Sequence, residues 1–447
     1  VGLKIAVVGA GISGLSCAWR LAAAHDVTLY EAGDYFGGHT HTVDATVDGI
    51  THPVDTGFLV FNHRTYPELT RLLDSLGVAT VASEMTFSVR AGARHSGLEW
   101  AGTDLNSVFA QRKNLASPRF LRMLIDIVRF NRMATRLASR PAAPENRLAL
   151  GKFLKARHFS SAFMDWYLLP MAAAIWSCPK QTMLAFPVGT FARFCHNHGL
   201  LQVTDRPQWY TVKNGAREYV VRLLHALRDT RLLEPVSSIR RVRGASGAYQ
   251  VEVTSAKGVA TFDHVVLASH SDQSLAVLSD ASALEQQILS AVRYQPNRAV
   301  LHTDETLLPG NTAAWAAWNY QCESHAPNDG TEPRTDVCVH YLINKLQPVP
   351  WTRSVIVSLN PVSEPDPAHV LQRFEYSHPV FDAGAIDAQQ RLVEIQGERN
   401  TWFCGAWTGY GFHEDGLRSG LEVATALDAA NTGARLRVVA VPVEEAA

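Results

Sequence analysis

The chain has 447 residues, 47% of them apolar, and a formal net charge of −1 at pH 7. That composition supplies one large core or two coupled ones, and the balanced charge gives no global attraction for nucleic acid or an anionic membrane. Six scattered cysteines (Cys17, Cys178, Cys195, Cys322, Cys338, Cys404) form no C-x-x-C pair and no disulfide-like framework, which fits a reducing compartment. No secretory leader precedes the opening strand and no apolar run approaches the ~20 residues of a membrane span, so a cytoplasmic location is expected.

Residues 4–8 (KIAVV) predict a strand buried on both faces. They run into GAGISG at residues 9–14, then a helix over 13–24, and a second strand over 27–30 that ends on Glu31. Gly9 permits the tight turn, Gly11 lets the backbone approach a pyrophosphate, and Gly14 lets the helix pack on the strand. Ile12 and Ser13 open that helix, whose free N–H groups and partial positive charge suit phosphates. Glu31, followed by Ala32, stands twenty residues beyond Gly11, where a carboxylate accepts hydrogen bonds from a ribose diol. The unit by itself predicts a dinucleotide and leaves NAD and FAD open.

Further along come Gly37-Gly38-His39-Thr40 and Val54-Asp55-Thr56-Gly57-Phe58, and near the end a strand leading into Gly405-Ala406-Trp407, Tyr410, His413-Glu414-Asp415-Gly416-Leu417 and a helix over 417–430. In this order the segments resemble the flavin amine oxidase, phytoene desaturase and protoporphyrinogen oxidase superfamily. The strings FNHRTYPEL, AAAIWSCP and GFHEDGLRSG look like those of its bacterial amine oxidase-like, predicted NAD/FAD-binding members. The resemblance implies FAD as cofactor, with Val236 on a strand at the adenine side, residues 264–270 as the next strand, and the final helix pointing its first turn at the flavin. Glu414 and Asp415 oppose the charge of that turn unless they cap it, and capping is the expected role. The sequence departs from the family in three places. His39 replaces the usual Arg after the double glycine, the C-terminal loop carries Gly411 and Phe412 as an addition, and Arg298 or Asn297 stands where the family places a Lys beside the flavin.

The matching motifs predict an interrupted Rossmann-type, glutathione reductase-like FAD-binding domain from residues 1–60, 210–275 and 395–430. Residues 61–209 and 276–394 then form an inserted α+β substrate domain containing a mixed or antiparallel sheet, and 431–447 a surface tail. Within the insert, residues 118–137 predict an amphipathic helix with Arg122, Arg129 and Arg136 every seven residues; this is read as a solvated basic face, with contact to an acidic partner or peripheral contact to a membrane's inner face as the sharper alternative. Residues 141–144 predict a loop, and Pro170 interrupts the aromatic run 163–174. Cys195, His196 and His198 have no good metal spacing, so no metal is expected. Strands are expected around Trp315, Trp318 and Tyr320 and over 338–343.

The implied activity is hydride transfer from a C–H bond of an apolar or lipid-like small molecule to flavin N5. Amine oxidation, redox-neutral double-bond isomerisation and a non-catalytic flavoprotein remain as alternatives. By position, His413 and Glu414 are the acid/base candidates, Tyr410 an aromatic wall and Arg298 the Lys replacement; Arg stays protonated and cannot serve as a base. The sequence does not speak to oligomeric state.

Overall fold

The computed structural model describes residues 2–92, 97–140, 143–176, 180–202, 206–244, 247–325 and 334–431. The tail expected beyond residue 431, residues 141–142 of the expected loop and residues 177–179 of the AAAIWSCP string lie outside them.

The apolar run Lys4–Val8 is the central strand of a five-stranded parallel sheet, with Ile5, Ala6 and Val7 wholly buried. It pairs on one side with Asp26–Tyr30, followed by Asp229–Arg231, and on the other with His264–Leu267, followed by Thr401–Phe403. One sheet thus draws strands from both ends and the middle of the chain, as an interrupted Rossmann-type fold requires. The crossover after the first strand is helix Ile12–Leu21, shorter than the sequence range because residues 22–24 form a turn.

A second, seven-stranded sheet has the order Val370–Val380, Arg293–His302, Ile356–Leu359, Arg334–Leu342, Trp318–His325, Phe87–Ala91, Leu98–Ala101. All neighbours are antiparallel except Trp318–His325 and Phe87–Ala91, so the sheet is mixed. Helix Pro118–Ala138 starts at Ser117, whose hydroxyl accepts from Phe120 N at 3.3 Å, and packs against helix Val188–Asn197.

Helix His413–Asn431 lies along helix Ile12–Leu21 and begins one turn before the expected Leu417. Glycines set how close the two approach. A Cβ at Gly420 would stand 2.2 Å from Ser13 O, and one at Gly416 3.0 Å from Ile12 Cγ2 and Ser13 Oγ. On the other face of the first helix, a Cβ at Gly14 would stand 1.8 Å from Gly9 O. The Ser419 hydroxyl accepts from Gly405 N at 2.9 Å, tying the final helix to the loop before it. Gly420→Ala must push the two helices apart. We expect a loss of about 1–3 kcal/mol in denaturant unfolding of the apoprotein, with weaker FAD binding; wild-type stability would contradict this packing.

Candidate active site

The carboxyl ends of the parallel strands open onto a cavity of about 730 Å3, where open α/β sheets bind ligands. Val8, Tyr30 and Ala268 reach it from this sheet and Tyr376 and His378 from the mixed one, so both sheets wall it. Gly9 turns the chain at φ +103°. Gly11 lines the cavity with nothing within 4 Å of its Cβ position, leaving backbone open to a ligand, while Gly14 sits behind the turn. Ile12 and Ser13 line the cavity at the start of a helix with no side-chain cap, so its first N–H groups remain for an anion. Glu31 accepts from Ala10 N at 2.9 Å and Gly33 N at 2.8 Å, bracing the turn from the end of the second strand. Ala32 and Val236 line the same end. Gly37 N donates to Ala10 O at 2.8 Å, and Gly38 approaches so closely that its Cβ would stand 3.1 Å from Gly11 Cα.

The next segment passes His39, Gly57 and Phe58 along the wall. Gly57 is required by contact: a Cβ there would meet His39 O at 2.3 Å. Thr40 and Thr56 point away from the cavity into hydrogen bonds. Thr56 Oγ1 is 2.8 Å from the Tyr376 hydroxyl, and Thr40 Oγ1 is 2.6 Å from that of Tyr219. The Tyr219 hydroxyl in turn lies 2.7 Å from His413 Nε2, and the His413 ring stacks on Phe58 with centroids 3.9 Å apart. Burial pushes the His413 imidazole down to about 3, so it is neutral at physiological pH.

Gly405, at φ +156°, admits the Trp407 ring, and Ala406, Tyr410 and His413 follow along the cavity. Glu414, Asp415, Gly416 and Leu417 do not line it. Asp415 caps its own helix by accepting from Phe412 N at 3.0 Å. Glu414 caps a different helix, Pro67–Ser75, accepting from Glu68 N at 2.7 Å and Leu69 N at 3.0 Å; burial raises its carboxyl to about 7. Gly416 and Leu417 belong to the helix contact and the core. Arg298 also lies off the cavity, ion-paired to Glu364. Strand alternation is the reason. Asn297 is the inward residue, wholly buried, with Nδ2 3.0 Å from His378 Nδ1, and Arg298 faces outward.

Several wall residues were given no place in the site from the sequence, His198 having been weighed only as a metal ligand. His378 and Tyr376 lie on the strand paired with residues 293–302, and the His39 ring is 5.1 Å from each. His270 stacks on Tyr294 at 4.2 Å. His198 Nδ1 donates to Phe194 O at 3.0 Å, and its ring stacks on Phe194. Burial lowers all of these imidazoles, His198 and His378 to about 4 and His39 well below its usual value, helped by its histidine neighbours. The alternation of residues 374–378 (FEYSH) is a sequence signal for the inward His378, and His198 stands four residues after Phe194; the other contacts are tertiary. Among the described residues no cluster of His, Cys, Asp and Glu could hold a metal ion, and no helix is long and apolar enough to cross a membrane.

A flavin dinucleotide fits this cavity on three counts: the open Gly11, the uncapped helix start, and His39 Nε2, which is buried without a hydrogen-bond partner among the described residues. Known proteins support the same reading. A search of curated proteins finds no match. Among solved structures, a CLA-producing fatty acid isomerase from P. acnes superposes with a TM-score of 0.64 at 15% identity, over 95% of this chain and 98% of the other. Putrescine oxidase bound to putrescine gives 0.64 at 15% identity (96% and 99%), and cyclohexylamine oxidase from Brevibacterium oxydans IH-35A 0.63 at 14% (97% and 100%). At such identities these relatives establish the fold. The family model for flavin-containing amine oxidoreductases matches residues 12–428. The chain therefore belongs to the flavin-containing amine oxidoreductase family, as an FAD-dependent oxidoreductase.

Proposed function

We propose that the enzyme oxidises an uncharged, apolar, lipid-like substrate at a C–H bond, introducing a double bond. The observation that carries this reading is the chemistry of the cavity wall away from the glycine turn. Phe58, Met85, Phe194, Leu200, Trp209, Trp318, Tyr341 and Phe412 line it, with no Lys or Arg among the described residues. Of the three carboxylates on the wall, Glu31 braces the turn, Glu234 is ion-paired to Lys257 and bonded to Ser255 Oγ, and Glu375 is exposed. None is placed to hold an ammonium group at the aromatic end. A dry apolar site desolvates a cation at a cost it does not return, whereas an acyl chain loses nothing there. Of the relatives above, one is named for a fatty acid and two for amines, and the wall favours the first kind.

When bound, FAD supplies the two-electron acceptor for a hydride. Forming a double bond also releases a proton from the adjacent carbon, and this chain must receive it. His198 is suited to that role. Its Nδ1–H is committed to Phe194 O, so in the neutral ring Nε2 carries the free lone pair. His413 is assigned a positioning role, since its imidazole is fixed between Phe58 and Tyr219. Glu414 and Arg298, committed to a helix cap and to Glu364, take no part.

Anaerobic mixing distinguishes the readings: long-chain unsaturated acyl compounds should bleach the bound flavin and small primary amines should not. Bleaching by amines alone would sink the proposal. His198→Ala should slow bleaching by about 10²-fold or more at unchanged FAD content, as removal of a general base does; an unchanged rate would remove His198 from the chemistry. The neutral histidines also set a pH response. His198, His378, His302 and His413 are depressed to about 3–4, so the stability they contribute is present above their unfolded value of 6.5 and lost as pH falls towards 4. Asp55 and Glu414, raised to about 6 and 7, act in the opposite sense, as do the raised Asp415 and Glu422, but nine imidazoles are lowered among the described residues. Urea unfolding of the apoprotein should show a net loss of about 1–2 kcal/mol per pH unit between 6 and 4.5. A flat or rising profile would mean these rings are not buried neutral.

A further inference from the structure

Twelve large apolar side chains are exposed among the described residues, and five of them (Leu105, Leu115, Leu121, Ile125 and Val128) fall between residues 105 and 128. Three of these share one stripe of helix Pro118–Ala138. Leu121, Ile125 and Val128 recur at i, i+4 and i+7 and are 39, 60 and 43% exposed. The opposite stripe, with Phe120, Met123 and Phe130, is buried, and the helix packs on Val188–Asn197.

Cations flank the exposed stripe. Residues 112–140 hold eight Arg or Lys against a single Asp, a net of +7 in a chain whose total is −1. The lone Asp126 is buried and bonded by Arg122 and Arg129. Arg132 and Arg136 are exposed and carry no ion pair among the described residues. A purely solvated face explains the arginines but not the aliphatic row between them. A polyphosphate backbone would be matched by the charge, and again not by the row. An anionic bilayer accounts for both: aliphatics enter the headgroup–acyl boundary while arginine stems reach back to the phosphates.

We propose that helix Pro118–Ala138 docks the enzyme on an anionic lipid surface, with Leu121, Ile125 and Val128 entering the bilayer and Arg132 and Arg136 engaging headgroups. The surface is separate from the cavity, so the proposal stands whether or not the substrate is a lipid. It does place the layer bearing Phe194 and His198 one helix away from the membrane.

The test is co-sedimentation of the FAD-loaded full chain with vesicles of phosphatidylcholine alone or mixed equally with phosphatidylglycerol. The protein should sediment with the anionic vesicles at low salt, roughly tenfold less at about 0.5 M salt, and remain free of pure phosphatidylcholine. Two variants, Leu121→Ser/Ile125→Ser/Val128→Ser and Arg132→Ser/Arg136→Ser, should each weaken binding about tenfold or more, with wild-type FAD content and melting temperature. Wild-type protein left in the supernatant with anionic vesicles overturns the proposal, as does equal binding to both vesicle types or wild-type binding by both variants. Concentration-dependent dimerisation without vesicle binding, abolished by the aliphatic variant, would assign the face to a second copy and overturn it likewise.

Discussion

The molecule depends on one close contact, between the helix that follows the first strand and the helix that ends the described chain. Gly416 and Gly420 let the final helix come within backbone distance of Ile12 and Ser13, and Gly14 lets the first helix settle on its own strand. Three layers are stacked by the absence of three side chains. The consequence is functional. The uncapped N-terminus of the first helix, the loop of Gly405 and Ala406, and the start of the final helix all meet at one cavity. Residues some four hundred positions apart in sequence are thereby made neighbours at one cavity.

A second constraint is dryness. The wall is built from aromatic rings and from imidazoles that burial keeps neutral; of its carboxylates, Glu31 is bonded to backbone N–H groups, Glu234 is paired with Lys257, and Glu375 is exposed. Hydrogen bonds then replace charge as the means of orientation, as in the Thr40, Tyr219 and His413 series. His39 fits the same pattern: where the family places an always-charged Arg, this chain places a neutral ring whose Nε2 has no partner among the described residues. A neutral group draws less on electrostatic attraction to phosphate and more on directional hydrogen bonding.

The sequence was most legible where function constrains backbone. Gly9, Gly11 and Gly14 were each assigned a backbone job from spacing alone and each occupies a geometry that suits it, whereas Glu31, expected on a ribose, accepts from Ala10 N and Gly33 N. The mixed sheet of the insert was also foreseen, because alternating aromatic runs are a strand signature. Legibility failed where a side chain's partner comes from elsewhere in the chain. Glu414 reads as a cap for its own helix, yet it caps one that starts at Pro67. Arg298 occupies the expected strand, but the pleat turns Asn297 inward instead. His198 was weighed only as a metal ligand, although Phe194 stands four residues before it, and His378 takes its place from His39, which tertiary packing alone brings beside it.

These features make one claim: the two ends of the chain close a single FAD site whose far end is apolar and uncharged. The most direct measurement is the visible spectrum of the purified chain together with the FAD released on denaturation. The account predicts flavin bands and one FAD per chain. A colourless protein that takes up no FAD when the cofactor is supplied would contradict it.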